Sequence, residues 1–285
     1  MGSRKRGQPT RRDFLKASSL ATAGFLLFGC MGTQEKSPGN VSYWLTAEQK
    51  HRAEQLTSLF ENSVLEIQYD YVENLNDGRG FTAVRAGFTT ATGDLLEVVS
   101  RYTEKNHSNA LAKFLPRLKE LATSGSDEIT GLGEFETAWK TSTDDPVFRT
   151  TQDEVVDDFY YKPAMMAADM LGLRTPLARA VVYDTIIQHG NGEDPDGLPA
   201  LLNRTQAETH GTPQNGIDER VWLKAFLKIR RADLANAYDV ATRDAWAQSV
   251  SRVDVFSQIA DSENYELRGP IVINVPPDYP NITIN

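Results

Sequence analysis

Thiol chemistry has almost no material to work with: the 285 residues contain one cysteine, Cys30. A single cysteine excludes an internal disulfide and a cysteine-ligated zinc. With Cys30 set aside in the N-terminal segment described below, it also excludes a thiol nucleophile. Histidine is scarce as well. His51, His107, His189 and His210 are scattered, with no H-E-x-x-H, so a zinc-hydrolase centre lacks its usual ligands. There is no G-x-S-x-G elbow, no P-loop and no complete G-x-G-x-x-G; DGRG and GLGE lack the spacing that gives those motifs meaning. DPDG at 194–197 hints at a calcium loop, but no glutamate occupies its twelfth position and a proline interrupts it. The expectation is a protein with no metal and no cofactor, in which carboxylate chemistry remains.

Long apolar runs are missing too. The one apolar stretch near the N-terminus, ASSLATAGFLLFGC, is too short for a spanning helix. It follows TRRDFLK (Thr10–Lys16), and a basic segment leading into a short apolar region is an export signal rather than structure. The paired arginines resemble a twin-arginine signal, the route for proteins exported already folded. Leu27-Phe28-Gly29-Cys30 resembles a lipobox, which makes Cys30 the lipidation candidate, although Phe28 stands where a small residue is usual. We read 1–30 as the signal and 31–43, whose GTQEKSPGN is polar with Gly and Pro, as a flexible tether. The protein is then secreted, or anchored to a membrane through Cys30.

Basic residues are in deficit once the signal is removed. Residues 1–30 hold six of the 30 basic residues and one of the 39 acids, leaving 24 basic and 38 acidic residues and a formal charge of −14. A domain this acidic is a poor candidate for nucleic acid and suits a cationic partner.

Among what is present, 46–63 reads as a helix with an apolar stripe of Leu56, Leu59 and Phe60 and a capping box from Thr46 and Gln49. From Ile67 the pattern alternates through Tyr69 and Tyr71, turns at Asn76-Asp77-Gly78, and is β-like again from Phe81. Helical spacing returns at Asp94, the expected N-cap of DLLEVVSRYTEK, with further helices over 109–123, 152–171, 175–188 and 217–236. GNGEDPDG and THGTPQNG mark loops, and no internal repeat is visible.

The segment ENSVLEIQYDYVENLNDGRGFT (61–82) concentrates five carboxylates around one tight turn. Two carboxyl groups suffice to cleave a glycosidic bond, one protonating the leaving oxygen and the other activating water. Glu61, at a helix C-terminus beside Leu59 and Phe60, suits a protonated acid. Asp77, in a Gly-flanked turn beside Arg79, suits an ionised base, and the Thr82 hydroxyl lies within reach to hold a water. The same residues also describe an ordinary helix end and hairpin turn, where Glu and Asp-Gly are commonplace.

The run E-N-S…Y-x-Y…D-G-R-G-F-T…G-F…T-G-D-L-L-E…Y-T, from Glu61 to Thr103, resembles the N-terminal signature of the glycoside hydrolase family 46 chitosanases. The likeness continues through LAKFLPRLKEL (111–121), DDFYYKPAM (157–165), YDTIIQHG (183–190), FLKIRR (226–231) and SRVD (251–254). The resemblance implies a mainly α, lysozyme-like fold of two lobes over 44–285 with a small β-element after the first helix. It implies endo-acting, inverting hydrolysis of β-1,4-linked glucosamine in chitosan by a monomer. Carried over by position, Glu61 is the general acid, Asp77 the general base and Thr82 the residue orienting water. Asp94 binds a glucosamine ammonium group and Arg79 is the turn arginine. Asp157, Arg230 and Arg252 form an ion network behind the acid. The family's acidic residues after the long C-terminal helix have no clear counterpart, and loop 191–216 differs. Two other readings stay open: a lysozyme-like glycosidase on peptidoglycan or chitin, and a surface lipoprotein that binds amino-sugar polymers without cleaving them.

Overall fold

A capping box starts the first helix. Thr46 accepts from the Gln49 N–H, Gln49 accepts from the Thr46 N–H, and α1 (Ala47–Asn62) follows. Leu56, Leu59 and Phe60 are buried along one side of α1. Ser63, at φ 59°, breaks the helix and donates its N–H to Leu59 O. Glu61 thus stands one residue before the helix ends. The structure, a computed structural model, describes residues 44–83, 86–240 and 243–285; the proposed signal, tether and Cys30 lie outside them.

Three short antiparallel strands come next, β1 (Val72–Asn74), β2 (Phe81–Ala83) and β3 (Phe88–Thr89), in the order β1-β2-β3. Thr82, in the central strand, faces Glu73 on one side and Thr89 on the other. After α2 (Asp94–Lys105) the chain is helical for most of its length. It runs through α3 (Leu115–Ser124), α4 (Phe135–Ser142), α5 (Pro146–Val156), α6 (Lys162–Leu171), α7 (Pro176–His189), α8 (Leu198–Thr209), α9 (Glu219–Ala235), α10 (Arg243–Ala247) and α11 (Val250–Asp261). A hairpin of β4 (Ile271–Val275) and β5 (Tyr279–Ile284) closes it. The mainly helical class with a small β-element after the first helix is as expected.

Two apolar cores divide the molecule into lobes. The smaller joins the three-stranded sheet to α2–α5 through Phe88, Leu95, Val98, Phe135, Trp139 and Phe148. The larger packs α1, α6 and α8–α11 around α7, and the terminal hairpin adds Ile271, Ile273 and Tyr279. Every residue of α7 is buried, so it has no solvent-facing side and each charge on it requires a partner. Tyr160 packs against both cores.

Several boundaries differ from the sequence reading. The single helix expected over 152–171 is divided by a π-helical turn at Asp157–Tyr161, a feature concentrated at functional sites. The helix expected over 109–123 begins as a 3-10 turn at Ala112–Phe114, and α3 starts at Leu115 with Pro116 in its first turn. Gly93, not Asp94, caps α2, and Asp94 is its first residue. Strand β1 is confined to Val72–Asn74. Helices α4, α8, α10 and α11 and the terminal hairpin are additions. Among the described residues, no helix is long and apolar enough to cross a membrane.

Candidate active site

Glu61 leaves the larger lobe's first helix with its side chain buried. Arg252 Nη1, from α11, donates to Glu61 Oε1 at 2.6 Å. The same Nη1 also donates to Gln188 Oε1. Arg252 Nε and Nη2 reach Asp184 at 2.9 and 2.8 Å, and Arg230 Nη2 reaches Asp184 at 2.8 Å. All four charged groups are buried. Burial opposes ionisation of Asp184, but Arg252 and Arg230 outweigh it and hold this carboxyl below its usual range. Burial likewise brings Arg230 down to about 10 against the pull of Asp184. Burial also disfavours the Arg252 cation, yet Asp184 and Glu61 raise it above its ordinary value. His189 accepts from Arg230 Nε at 3.2 Å and lies 2.8 Å from the Asp196 carbonyl oxygen through Nδ1. Burial first, and the Arg230 charge second, lower it well below 6.5 and keep it neutral. A neutral ring accepting at Nε2 carries its proton on Nδ1.

This corrects the expected network. Arg230 and Arg252 are in it, but its acid is Asp184, not Asp157. Asp157 sits on the π-helical turn and pairs with Lys50 at 2.7 Å, partly exposed. The missed signal was in YDTIIQHG: an aspartate within the apolar run Val181–Ile187 of a helix has to meet a cation once that run is buried.

The hairpin of the smaller lobe carries the next group. Arg79 Nη2 bonds Asp77 Oδ2 at 2.6 Å. Asp77 Oδ1 and Thr82 Oγ1 are both inaccessible and have no hydrogen-bond partner among the described residues. Two orphaned oxygens on one hairpin are costly, since an unmade buried hydrogen bond forfeits about 1–3 kcal/mol.

Asp94 opens α2 at the far side of the same sheet. Its Oδ1 accepts from Thr89 N (2.7 Å), Thr92 Oγ1 (2.6 Å) and Leu95 N (2.9 Å). Oδ2 takes none of these three. Burial pushes the carboxyl up to about 6 in spite of them. The phenol of Tyr160, between the lobes, is raised by burial and then by the nearby charges of Asp94 and Glu61, while Arg79 opposes them. Tyr160 therefore lies within electrostatic reach of Glu61 from one lobe and of Asp94 and Arg79 from the other. Its ring stacks on Phe88 at 6.1 Å. No group of three or more His, Cys, Asp or Glu able to hold a metal occurs among the described residues.

The family model for glycosyl hydrolase family 46 matches residues 55–271. The chain belongs to glycosyl hydrolase family 46. It is 50% identical over 261 residues to a chitosanase of Bacillus subtilis (strain 168), covering 92% of this chain and 93% of that one. A mutant chitosanase from Bacillus subtilis MY002, solved complexed with 6 GlcN, is 53% identical with a TM-score of 0.78; it covers 85% of this chain and 100% of that one. The Gynuella sunshinyii GH46 chitosanase in complex with chitotetraose is 46% identical with a TM-score of 0.76, covering 85% and 99% of the two chains. The chain is thus an enzyme, a glycoside hydrolase.

Proposed function

We propose that the protein is an endo-acting chitosanase that cleaves β-1,4-linked glucosamine with inversion, Glu61 serving as general acid and Asp77 as general base. The observation that carries this is the division of the chemistry between lobes. One lobe presents Glu61 on a helix end, and the other presents a hairpin with two buried, unpartnered oxygens, Asp77 Oδ1 and Thr82 Oγ1. A water between those oxygens satisfies both. It attacks the anomeric carbon from the face opposite the leaving oxygen and gives its proton to Asp77. Glu61 donates its own proton to the leaving oxygen as the C–O bond breaks. Arg79 keeps Asp77 oriented through its 2.6 Å bond, and the Arg252–Asp184 pair does the same for Glu61.

Asp94 reads as the subsite for a glucosamine ammonium group, because its Oδ2 takes none of the three bonds that anchor Oδ1. The acidic surface adds long-range attraction for a polycation and discriminates against neutral chitin. We further propose that the protein acts as a monomer outside the cytoplasm. Residues 1–30 serve as a twin-arginine signal, 31–43 as a tether and Cys30 as a lipid attachment point.

The test is release of reducing ends from chitosan, chitin and peptidoglycan in parallel by the native protein and Glu61→Gln. The native protein should act on chitosan, and Glu61→Gln should lose roughly 10²–10⁴-fold in rate while still binding the polymer. Equal rates for the two proteins would remove Glu61 from the acid role.

A further inference from the structure

The hairpin that carries Asp77 and Thr82 is pinched at Gly80, where φ is +75°. A Cβ built there would lie 2.1 Å from Thr90 Oγ1 and 3.5 Å from the Asp127 carbonyl oxygen. The Thr90 hydroxyl fills the space that a side chain at position 80 would claim, and it works in two directions. Oγ1 donates to Arg79 O at 3.2 Å and accepts from the Phe81 N–H at 3.2 Å. One hydroxyl therefore joins the two peptide groups that flank Gly80.

Two backbone bonds complete the joint, from Thr90 N to Phe81 O (3.0 Å) and from Ala91 N to Arg79 O (3.3 Å). The last paired residues of β2 and β3 at this end are Thr82 and Thr89. Beyond them Thr90 N still bonds Phe81 O, but the Phe81 N–H goes to the Thr90 side chain rather than to a main-chain carbonyl. Thr90 is fully buried, so the Phe81 N–H has no water to fall back on if the hydroxyl is removed.

The clamp lies between the two residues whose spacing the reaction needs. On one side Arg79 grips Asp77 at 2.6 Å; on the other, Phe81 is followed by Thr82. We propose that Thr90 is a positioning residue for hydrolysis: by bridging Arg79 and Phe81, its hydroxyl fixes the separation and orientation of Asp77 and Thr82. The Thr90 hydroxyl bonds to the Arg79 and Phe81 main chain rather than to either of these side chains, and acts through the backbone. The inference rests on reading Asp77 and Thr82 as the pair that holds and activates water.

The experiment compares Thr90→Val, Thr90→Ala and Thr90→Ser with the native protein and Asp77→Asn. It measures kcat and KM on a glucosamine hexamer well below each unfolding midpoint, with the folded fraction from circular dichroism. Val keeps the shape without the hydroxyl, Ala removes the hydroxyl without adding bulk, and Ser keeps it. Misplacement by about 1 Å is worth on the order of 10²-fold. Folded Thr90→Val or Thr90→Ala should therefore lose roughly 10–100-fold in kcat with KM little changed, and Thr90→Ser should recover most of it. Native kcat in folded Thr90→Val or Thr90→Ala, or a Thr90→Ser as impaired as Thr90→Val, would overturn the inference. Asp77→Asn separates the two levels. If it remains active, the reading of Asp77 fails; if it is inactive while Thr90→Val has native kcat, only the role of Thr90 fails.

Discussion

Arg252 and Glu61 stand 191 positions apart in the chain, yet Arg252 Nη1 lies 2.6 Å from Glu61 Oε1 with both side chains buried. The orientation of the proposed acid is therefore set by α11, not by its own helix. Arg252 is oriented in turn by Asp184 on α7, to which it gives both Nε and Nη2. Because α7 is buried on every face, the acid is referenced to the centre of the larger core.

Removing one member of a buried pair leaves the other uncompensated, at a cost of about 3–5 kcal/mol. Asp184→Ala takes the carboxylate from Arg230 and leaves Arg252 only Glu61 and Gln188, and should lower the thermal midpoint by on the order of 10 °C as well as reducing activity. Asp157→Ala breaks only a partly exposed pair with Lys50, worth about 0–1 kcal/mol. Thermal unfolding followed by circular dichroism checks both, and equal shifts for the two variants would contradict this division.

Thr82 presents the opposite case, a polar atom kept at a cost. Its hydroxyl is buried without a hydrogen-bond partner among the described residues, so Thr82→Val should leave stability unchanged or raise it by up to about 1 kcal/mol. The same change should lower kcat by roughly tenfold or more, since the water proposed to attack would lose one of its holders. A variant both less stable and fully active would reverse this account.

Asp94 supplies a pH dependence whose sign follows from its environment. Its carboxyl sits at about 6 rather than 3.8, so the folded protein retains a proton there that the unfolded chain has released. Burying the charge costs stability progressively as pH rises from 3.8 to about 6, and the cost is complete above that. The charge proposed to grip an ammonium group likewise develops as pH rises through about 6. KM for chitosan oligomers should fall as pH rises through this range, until the sugar amines themselves deprotonate. Asp94→Asn should show no such fall and should be at least as stable as the native protein at pH 7. Asp94→Ala should weaken chitosan binding more at low salt than at high salt. Initial rates against pH read KM, thermal unfolding at pH 7 reads the stability of Asp94→Asn, and titration calorimetry at several salt values reads the binding of Asp94→Ala. A KM for Asp94→Asn that falls with pH as the native one does would contradict this role.

The N-terminal segment carries its own test. Arg11→Lys combined with Arg12→Lys should stop export by the twin-arginine route, leaving active enzyme in the cytoplasm. Cys30→Ala should release the exported protein from membranes. Fractionation followed by the chitosan assay distinguishes these outcomes, and unchanged distribution of both variants would refute the signal and the anchor together.

The sequence was most legible where local rules dominate. The capping box at Thr46 and Gln49, the turn at Asn76-Asp77-Gly78 and the amphipathic α2 all follow from residues close in the chain. Asp184 was harder to read because its partners, Arg230 and Arg252, are 46 and 68 positions away. Asp157, beside matching residues, drew the assignment instead. The π-helical turn at Asp157–Tyr161 has no sequence pattern distinct from the helix around it, so the placement of Tyr160 against both cores was invisible. The terminal hairpin was missed for a similar reason. Ile271 and Ile273 are buried against the larger core while Val272 is exposed, an alternation too short to stand out beside five prolines and glycines.

The central claim is that Asp77 activates a water across from Glu61 rather than attacking the sugar. Proton NMR of the first product released from a β-linked glucosamine oligomer, recorded before mutarotation, tests it most directly. Inversion predicts that the α-anomer appears first and the β-anomer grows in only later. A β-anomer at the earliest time point would contradict the account.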